Sequence, residues 1–173
     1  MSILLIHASI EGQTAKVARY MRDLLEAEGP PVTMVDTEAA VPKIDFAAFD
    51  HIVLAAPVHE RTYPDGFEAF AAGHKNDLAT KPTLMLAVSL AAAFPEKLED
   101  AWDFQQEFQM RTGFIPDEVQ YVGGAVRPSS YGYFESQIMR YVVLHGVKVD
   151  ASTEREFTDW EAIRQRTMQL ATP

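Results

Sequence analysis

The sequence feature that most constrains the fold is a buried strand, a short polar turn and a helix in succession at the start of the chain. Residues 3–6 form an apolar run typical of a buried strand, and from residue 15 apolar residues recur at three- and four-residue spacing, which predicts an amphipathic helix. The turn between them spans residues 7–14. Backbone N–H groups at a helix start lack partners inside the helix, and the helix dipole adds partial positive charge there. The turn is therefore a candidate phosphate site, with an ordinary turn capped by Ser9 or Thr14 as the alternative.

The polar turn offers neutral hydrogen-bond donors. Hydroxyls, a side-chain amide and backbone amides are available from Ser9, Ile10, Glu11, Gly12, Gln13 and Thr14. Gly12 lets the backbone turn tightly and approach a ligand. The turn contains no lysine, which excludes the Gly-x-x-x-x-Gly-Lys nucleotide loop, and it lacks the Gly-x-Gly-x-x-Gly motif. A carboxylate beside a phosphate dianion is unfavourable, so Glu11 suits the site only if its side chain points to solvent.

Composition narrows the class of protein. The 173 residues predict one domain over residues 1–173, and a net charge of −10, from 25 acidic and 15 basic residues, disfavours nucleic acids and anionic lipids as partners. The chain has no cysteine, so any redox chemistry requires a bound cofactor. The five histidines form no metal-binding pattern, and we predict no metal site. With no recognisable signal peptide and no apolar run near the ~20 residues of a membrane span, we expect a soluble cytoplasmic domain.

Strands and helices alternate along the chain. Apolar runs predict strands at residues 3–6, 32–35, 51–56, 83–90 and 118–122, and helical spacing predicts helices ending near residue 28 and spanning residues 65–78 and 96–111. Thr158 and Glu161 form a capping box before a final helix. This alternation predicts a doubly wound α/β fold, a five-stranded parallel sheet of order 2-1-3-4-5 with helices on both faces. In that order the ligand lies at the loops after the first and third strands.

The polar turn resembles a known cofactor loop. A hydroxyl residue, two variable positions, Gly, Asn or Gln, and then Thr, directly after a first strand, resemble the FMN phosphate loop of flavodoxin-like proteins. In that family neutral donors wrap the terminal phosphate, so the resemblance implies a flavodoxin-like fold with FMN as cofactor. Glu11 departs from the family pattern, in which a hydroxyl residue is common.

Two further loops are predicted to frame the flavin ring. An isoalloxazine ring needs flat partners and hydrogen-bond donors, which His59, Tyr63 and backbone amides after the third strand offer. Small residues after the fourth strand permit close backbone approach. The residues predicted to contact the ring are Pro57, Val58, His59, Arg61, Tyr63, Ser89, Leu90, Ala91 and Ala92. A solvated loop with incidental polar residues is the alternative for the segment after the third strand.

Spaced motifs resemble one branch of the flavodoxin-like family, the menaquinone-dependent protoporphyrinogen oxidases (dehydrogenases). The matching segments run nearly end to end: residues 11–14, 59–70, 90–97, 124–128 and 158–161. The resemblance implies an FMN-dependent oxidoreductase of heme biosynthesis that oxidises a reduced tetrapyrrole and passes electrons to a quinone. It also implies that Arg127 meets a substrate propionate or the flavin edge. We assign no catalytic acid or base, because flavin hydride chemistry does not require one.

The segment between Arg127 and Phe157 distinguishes this branch from a plain flavodoxin. It contains Tyr131, Tyr133, Phe134 and the apolar residues 138–144, and the resemblance implies a docking surface there for a quinone or porphyrin and for the inner face of a membrane. Capping of the fifth strand is the alternative. The family carries more basic residues in this segment; here there are Arg127, Arg140 and Lys148 against Glu135 and Asp150. An anionic porphyrin or an anionic membrane is therefore held less well.

Two rival functions stay open. A flavodoxin-type electron carrier would dock a redox protein partner and turn over no small molecule, which fits the acidic composition. A flavodoxin-fold module that has lost its flavin is compatible with Glu11 and with the altered basic segment.

Overall fold

The structure, a computed structural model, describes residues 1–127 and 153–172. Five parallel strands form its central sheet in the order β2-β1-β3-β4-β5. Their bounds are Ile3–His7 (β1), Val32–Asp36 (β2), His51–Pro57 (β3), Thr83–Ser89 (β4) and Glu118–Gly123 (β5). The predicted strand order and fold class are confirmed.

Helices cover both faces of the sheet because the buried residues of each strand alternate between them. The helices are Gln13–Glu28 (α1), Asp65–Leu78 (α2), Leu98–Thr112 (α3) and Trp160–Ala171 (α4). On one face Ile3 and Leu5 of β1 share a core with buried residues of α1 and α4. On the other face Leu4 and Ile6 share a core with buried residues of α2 and α3.

Helix bounds follow the sequence signals in most places. Helix α1 ends at Glu28, before Gly29 with φ +114°, and α2 has the predicted bounds. Short 3-10 helices at Phe46–Ala48, Ala91–Ala93 and Pro95–Lys97 complete the connections. The last of these delays the start of α3 to Leu98, two residues later than predicted.

The predicted capping box at the last helix is wrong. Asp159 caps α4, since its carboxylate accepts a hydrogen bond from the backbone N–H of Ala162 at 2.9 Å. Thr158 instead donates its hydroxyl proton to the carbonyl oxygen of Gly123 at 2.7 Å. Glu161 pairs with Arg164 on the helix surface. Asp accepts a capping hydrogen bond as readily as Thr does. Because the Thr158 hydroxyl is bound to Gly123, Asp159 caps the helix instead.

A short ladder that sequence reasoning missed lies at the carboxyl edge of the sheet. Ala125–Val126 (β6) pairs antiparallel with Arg155–Glu156 (β7), directly after β5. The next residue, Phe157, packs so closely on β5 that a Cβ atom added at Gly123 would meet the Phe157 carbonyl oxygen at 2.5 Å. Because Gly123 has no side chain, the segment before α4 can lie against β5, beside the loops that follow β1 and β4.

Part of the predicted docking surface lies outside the described residues. This applies to Tyr131, Tyr133, Phe134 and residues 138–144, and to the charged residues Glu135, Arg140, Lys148 and Asp150. Among the residues that the structure does describe, no helix combines the length and apolarity needed to cross a membrane.

Candidate functional site

A cleft opens at the carboxyl edge of the sheet, at the switch point between β1 and β3. Loops after β1, β3, β4 and β5 form its walls, and the lining residues are Ser9, Ile10, Glu11, Gln13, Thr14, Pro57, Val58, His59, Val88, Ser89, Leu90, Gly124 and Ala125. Strand order brings these loops together, because the chain leaves β1 and β3 toward opposite faces. Most of the residues predicted for the site therefore meet in one place.

Ser9 organises the turn between β1 and α1. Its Oγ accepts hydrogen bonds from the backbone N–H groups of Gly12 at 3.1 Å and Ala15 at 3.2 Å, and Gly12 adopts φ +88°. The hydroxyl thus satisfies the backbone N–H of Gly12, which is the N-cap residue of α1, and one donor of the first helical turn, although Ser9 is not itself the cap. A hydroxyl that accepts twice still has its own proton to donate, so Ser9 can hold the turn and also contact an anion.

Thr14 provides the clearest sign of a ligand. Its side chain is 1% exposed, and its Oγ1 has no hydrogen-bond partner within the described part of the chain. A buried hydroxyl without a partner costs about 1–3 kcal/mol. Thr14 lies in the first turn of α1 and lines the cleft, where a phosphate oxygen would satisfy it. The donor set fits a phosphate group.

Gln13 is committed to other protein groups. Its Nε2 donates to Thr158 Oγ1 at 2.8 Å, and its Oε1 accepts from Arg127 Nη2 at 2.9 Å. Thr158 in turn donates to Gly123. The predicted role of Gln13 as a phosphate donor is therefore secondary to its role as a link between the turn and the end of β5.

Glu11 does not point to solvent. Its side chain is 17% exposed and its Oε1 lies 3.6 Å from His59 Nε2, which joins the turn after β1 to the loop after β3. The Glu11 carboxylate thus lines the cleft, so the condition stated for it, a side chain that points to solvent, is not met, and its charge opposes a phosphate dianion. The guanidinium of Arg127 also contacts this turn, donating from Nη1 to the Glu11 carbonyl oxygen at 2.8 Å.

The prediction that Tyr63 stacks on the flavin ring is wrong. Its side chain is 1% exposed, its ring packs on Phe67 and Phe108, and its hydroxyl donates to Gln105 Oε1 at 2.7 Å. Burial raises the pKa of this hydroxyl well above its ordinary value. Tyr63 lies two residues before α2, and its side chain points into the core between α2 and α3 rather than toward the cleft.

Arg61, Ala91 and Ala92 also lie outside the cleft lining. The Arg61 guanidinium lies 5.3 Å from the ring centre of Phe104. Ala91 is buried against α3, and the backbone N–H of Ala92 donates to Ser89 Oγ at 3.0 Å. None of these three side chains therefore lines the cleft, where the prediction placed them.

Three residues of the lining were not predicted as site residues: Val88, Gly124 and Ala125. Gly124 packs against the backbone of Ser89, with a 3.3 Å contact from an added Cβ to the Ser89 carbonyl carbon. The glycine pair at the end of the predicted fifth strand was the available signal, since close backbone approach is a common reason for glycine at a strand end.

The fold and the cleft define a doubly wound α/β protein with a cleft at its switch point. A family model described as a flavodoxin domain matches residues 4–151, and the chain belongs to that family. Membership of the flavodoxin domain family supports FMN as the cofactor of the cleft. No curated protein matches the chain.

Solved structures with the same fold share little sequence with this chain. A cysteine-to-serine mutant of flavodoxin from Pseudomonas aeruginosa has a TM-score of 0.53 at 13% identity, covering 84% of this chain and 96% of that one. A short-chain flavodoxin associated with a non-canonical PDU bacterial microcompartment has a TM-score of 0.50 at 16% identity, covering 82% and 93%. Rubredoxin oxygen:oxidoreductase from the anaerobe Desulfovibrio gigas has a TM-score of 0.51 at 12% identity. That match covers 98% of this chain, which spans 35% of the Desulfovibrio gigas protein. These similarities show the fold.

Proposed function

We propose that the chain is an FMN-dependent oxidoreductase similar to protoporphyrinogen oxidase. It would oxidise a reduced tetrapyrrole or a similar large reduced ring and pass the electrons to a quinone. The observation that carries FMN binding is the buried Thr14 hydroxyl, which lacks a partner in the described chain and lines a cleft at the switch point. FMN, when bound, supplies the redox chemistry, and the protein orients it.

The proposed binding roles divide the cleft in two. The phosphate end comprises the hydroxyls of Ser9 and Thr14 and the backbone amides of residues 10–13. The ring end comprises Pro57, Val58, His59, Ser89, Leu90, Gly124 and Ala125. Pro57, Val58, Leu90 and Ala125 give this end an apolar lining, and none of the lining residues found in the described chain is a tyrosine, tryptophan or phenylalanine.

The substrate class rests on the spaced motifs, which resemble the protoporphyrinogen oxidase branch from residue 11 to residue 161. Contact with a quinone, a porphyrinogen and the inner face of a membrane is part of the same proposal. So is the single flavodoxin-like domain over residues 1–173. The weaker basic character of the segment after Arg127 predicts a lower affinity for an anionic tetrapyrrole than the family shows.

A flavodoxin-type electron carrier is the second candidate. Two observations favour it: the net charge of −10 suits docking to a basic redox partner, and Ile10 at the rim of the cleft is 51% exposed. An electron carrier needs an accessible flavin edge and a docking surface, but no substrate pocket.

One assay separates the candidates. The FMN-loaded protein is mixed anaerobically with protoporphyrinogen and a menaquinone analogue, and porphyrin fluorescence is followed, with the flavin-free protein as control. The enzyme hypothesis predicts fluorescence that grows only with the loaded protein and only with the quinone. If no porphyrin forms, while a flavodoxin reductase reduces the bound flavin, the enzyme hypothesis fails and the carrier hypothesis stands.

A further inference from the structure

The guanidinium of Arg127 lies against the outside of the proposed phosphate loop, residues 9–14. It follows β6 directly and donates to the Glu11 carbonyl oxygen at 2.8 Å and to Gln13 Oε1 at 2.9 Å. A Cβ atom added at Gly12 would lie 3.3 Å from Arg127 Nη1, so the loop backbone and the guanidinium are in contact. Glu154, whose side chain is largely exposed, has its Oε1 3.7 Å from Arg127 Nε.

Through Gln13, this contact becomes part of a hydrogen-bond network that connects distant parts of the chain. The amide oxygen of Gln13 accepts a hydrogen bond from Arg127, and its amide nitrogen donates to Thr158 Oγ1 at 2.8 Å. The Thr158 hydroxyl in turn donates to the Gly123 carbonyl oxygen at 2.7 Å. The loop after β1 is thereby tied to the end of β5, to β6 and to the residue before the N-cap of α4. Two contacts from one planar guanidinium fix orientation better than a lysine does.

Charge gives the same contact a second effect. The loop itself carries Glu11 and no lysine or arginine, so its own net charge opposes a phosphate dianion. Arg127 brings a positive charge to the carbonyl of that same glutamate. The attraction between a guanidinium and a phosphate is larger at the reduced effective dielectric of a half-buried site than in water, so direct contact is not required for it to act.

We propose that Arg127 is a positioning residue that makes the cleft selective for a phosphorylated flavin over an unphosphorylated one. It holds the loop amides in their phosphate-binding orientation and offsets the charge of Glu11. This inference rests on the proposed function, since it requires the cleft to bind FMN. Arg127 acts on the loop, and the flavin ring is held elsewhere, so its loss affects phosphate recognition and leaves ring recognition unchanged.

The test compares FMN with riboflavin, which lacks the phosphate. Dissociation constants are measured by quenching of flavin fluorescence for the wild type, Arg127→Met, Arg127→Lys and Arg22→Met. Arg22 pairs with Asp23 on the exposed side of α1 and provides a control with the same change in net charge. Arg127→Met raises the Kd for FMN by about tenfold to a hundredfold and that for riboflavin by less than about twofold. Arg22→Met changes neither.

Charge is separated from geometry by a second pair of variants. Arg127→Lys keeps the charge without the planar fork, and we expect an intermediate, several-fold loss of FMN affinity. Glu11→Gln added to Arg127→Met restores part of the lost FMN affinity, because the unbalanced carboxylate is removed. If Arg127→Met does not fold, as judged by its thermal melt, Arg127→Lys carries the comparison with the same two ligands.

The outcomes distinguish this inference from the proposed function. A wild type that binds FMN no better than riboflavin, an Arg127→Met protein with unchanged FMN affinity, or equal losses for both flavins would overturn the role of Arg127 while leaving flavin binding intact. A wild type that binds neither flavin would overturn the proposed function, and this inference with it.

Discussion

Tyr63 provides a direct test of the boundary between core and cleft. Its phenol is enclosed by Phe67 and Phe108, and its hydroxyl donates to Gln105 Oε1 at 2.7 Å. Gln105 is 2% exposed, and its Nε2 has no partner in the described part of the chain. Replacing Tyr63 with phenylalanine keeps the ring packing and removes this one hydrogen bond, which leaves the Gln105 amide buried with both polar atoms unsatisfied.

The expected loss of stability follows from the buried Gln105 amide that is left without partners. Leaving a buried acceptor without a partner costs about 1–3 kcal/mol, more than the net value of an ordinary hydrogen bond. At about 2–4 °C per kcal/mol for a protein of this size, a loss of about 2 kcal/mol lowers the Tm by about 4–8 °C. The double variant Tyr63→Phe/Gln105→Leu removes both partners and is expected to recover most of the loss.

Urea unfolding and FMN titration of the same proteins test this prediction. Tyr63→Phe is expected to lower the free energy of unfolding and leave the Kd for FMN unchanged. Tyr20→Phe, a half-exposed tyrosine whose ring packs edge-on against Trp160, is the matched control and should change stability by less than about 0.5 kcal/mol. A Tyr63→Phe protein of full stability that binds FMN weakly would refute the assignment of Tyr63 to the core.

The raised pKa of Tyr63 adds an independent measurement. Burial keeps its hydroxyl protonated in the folded state, while the unfolded chain loses this proton above pH ~10. The folded state then binds more protons than the unfolded state, so stability falls with rising pH by about 1.4 kcal/mol per unit from this group. Tyr63→Phe is expected to remove that part of the alkaline slope, and an identical slope in both proteins would contradict it.

Two further predictions concern the residues next to the cleft. Glu60 and Arg61 adopt φ of +49° and +70°, a strained conformation for residues other than glycine, in a tight turn closed by backbone hydrogen bonds between His59 and Thr62. The double variant Glu60→Asn/Arg61→Gly is expected to relieve this strain and raise the urea midpoint by the equivalent of about 1 kcal/mol or more. A lower midpoint would show that the turn is not strained. Burial lowers the pKa of His7, against the opposing effect of Asp36. As the pH is lowered below ~6.5, the unfolded chain therefore takes up a proton before the folded protein does, and the free energy of unfolding decreases. His7→Asn is expected to flatten the unfolding free energy between about pH 6.5 and 5, and an unchanged slope would show that His7 is not its source.

The fold was predictable because its signals are local. Apolar runs such as residues 51–56 are buried strands with both faces covered, and Gly29 with two following prolines can only end a helix. Parallel strands require crossover helices, which left few topologies to choose from. The strand, turn and helix of the proposed phosphate loop were predictable for the same reason, since they are contiguous in sequence.

The errors arise where tertiary partners decide the outcome. Thr158 has the spacing of a capping residue, but its hydroxyl is used by Gly123 and Gln13, which lie 35 and 145 residues away in sequence. Tyr63 lies in a polar loop, and only the packing of α2 against α3 shows that its ring is enclosed. The β6–β7 ladder joins two dipeptides that are far apart in sequence, a pairing that no local pattern specifies.

The FMN site is tested most directly by replacing Thr14 with valine. This nearly isosteric change removes only the buried Oγ1, which has no partner in the described chain. The ligand-free Thr14→Val protein should therefore melt higher than the wild type, by the equivalent of about 1–3 kcal/mol, and bind FMN at least about tenfold more weakly. A fluorescence titration and a thermal melt of both proteins measure these opposite effects. Equal FMN affinity in the two proteins, or a wild type that binds no FMN even in excess, would contradict the proposed site.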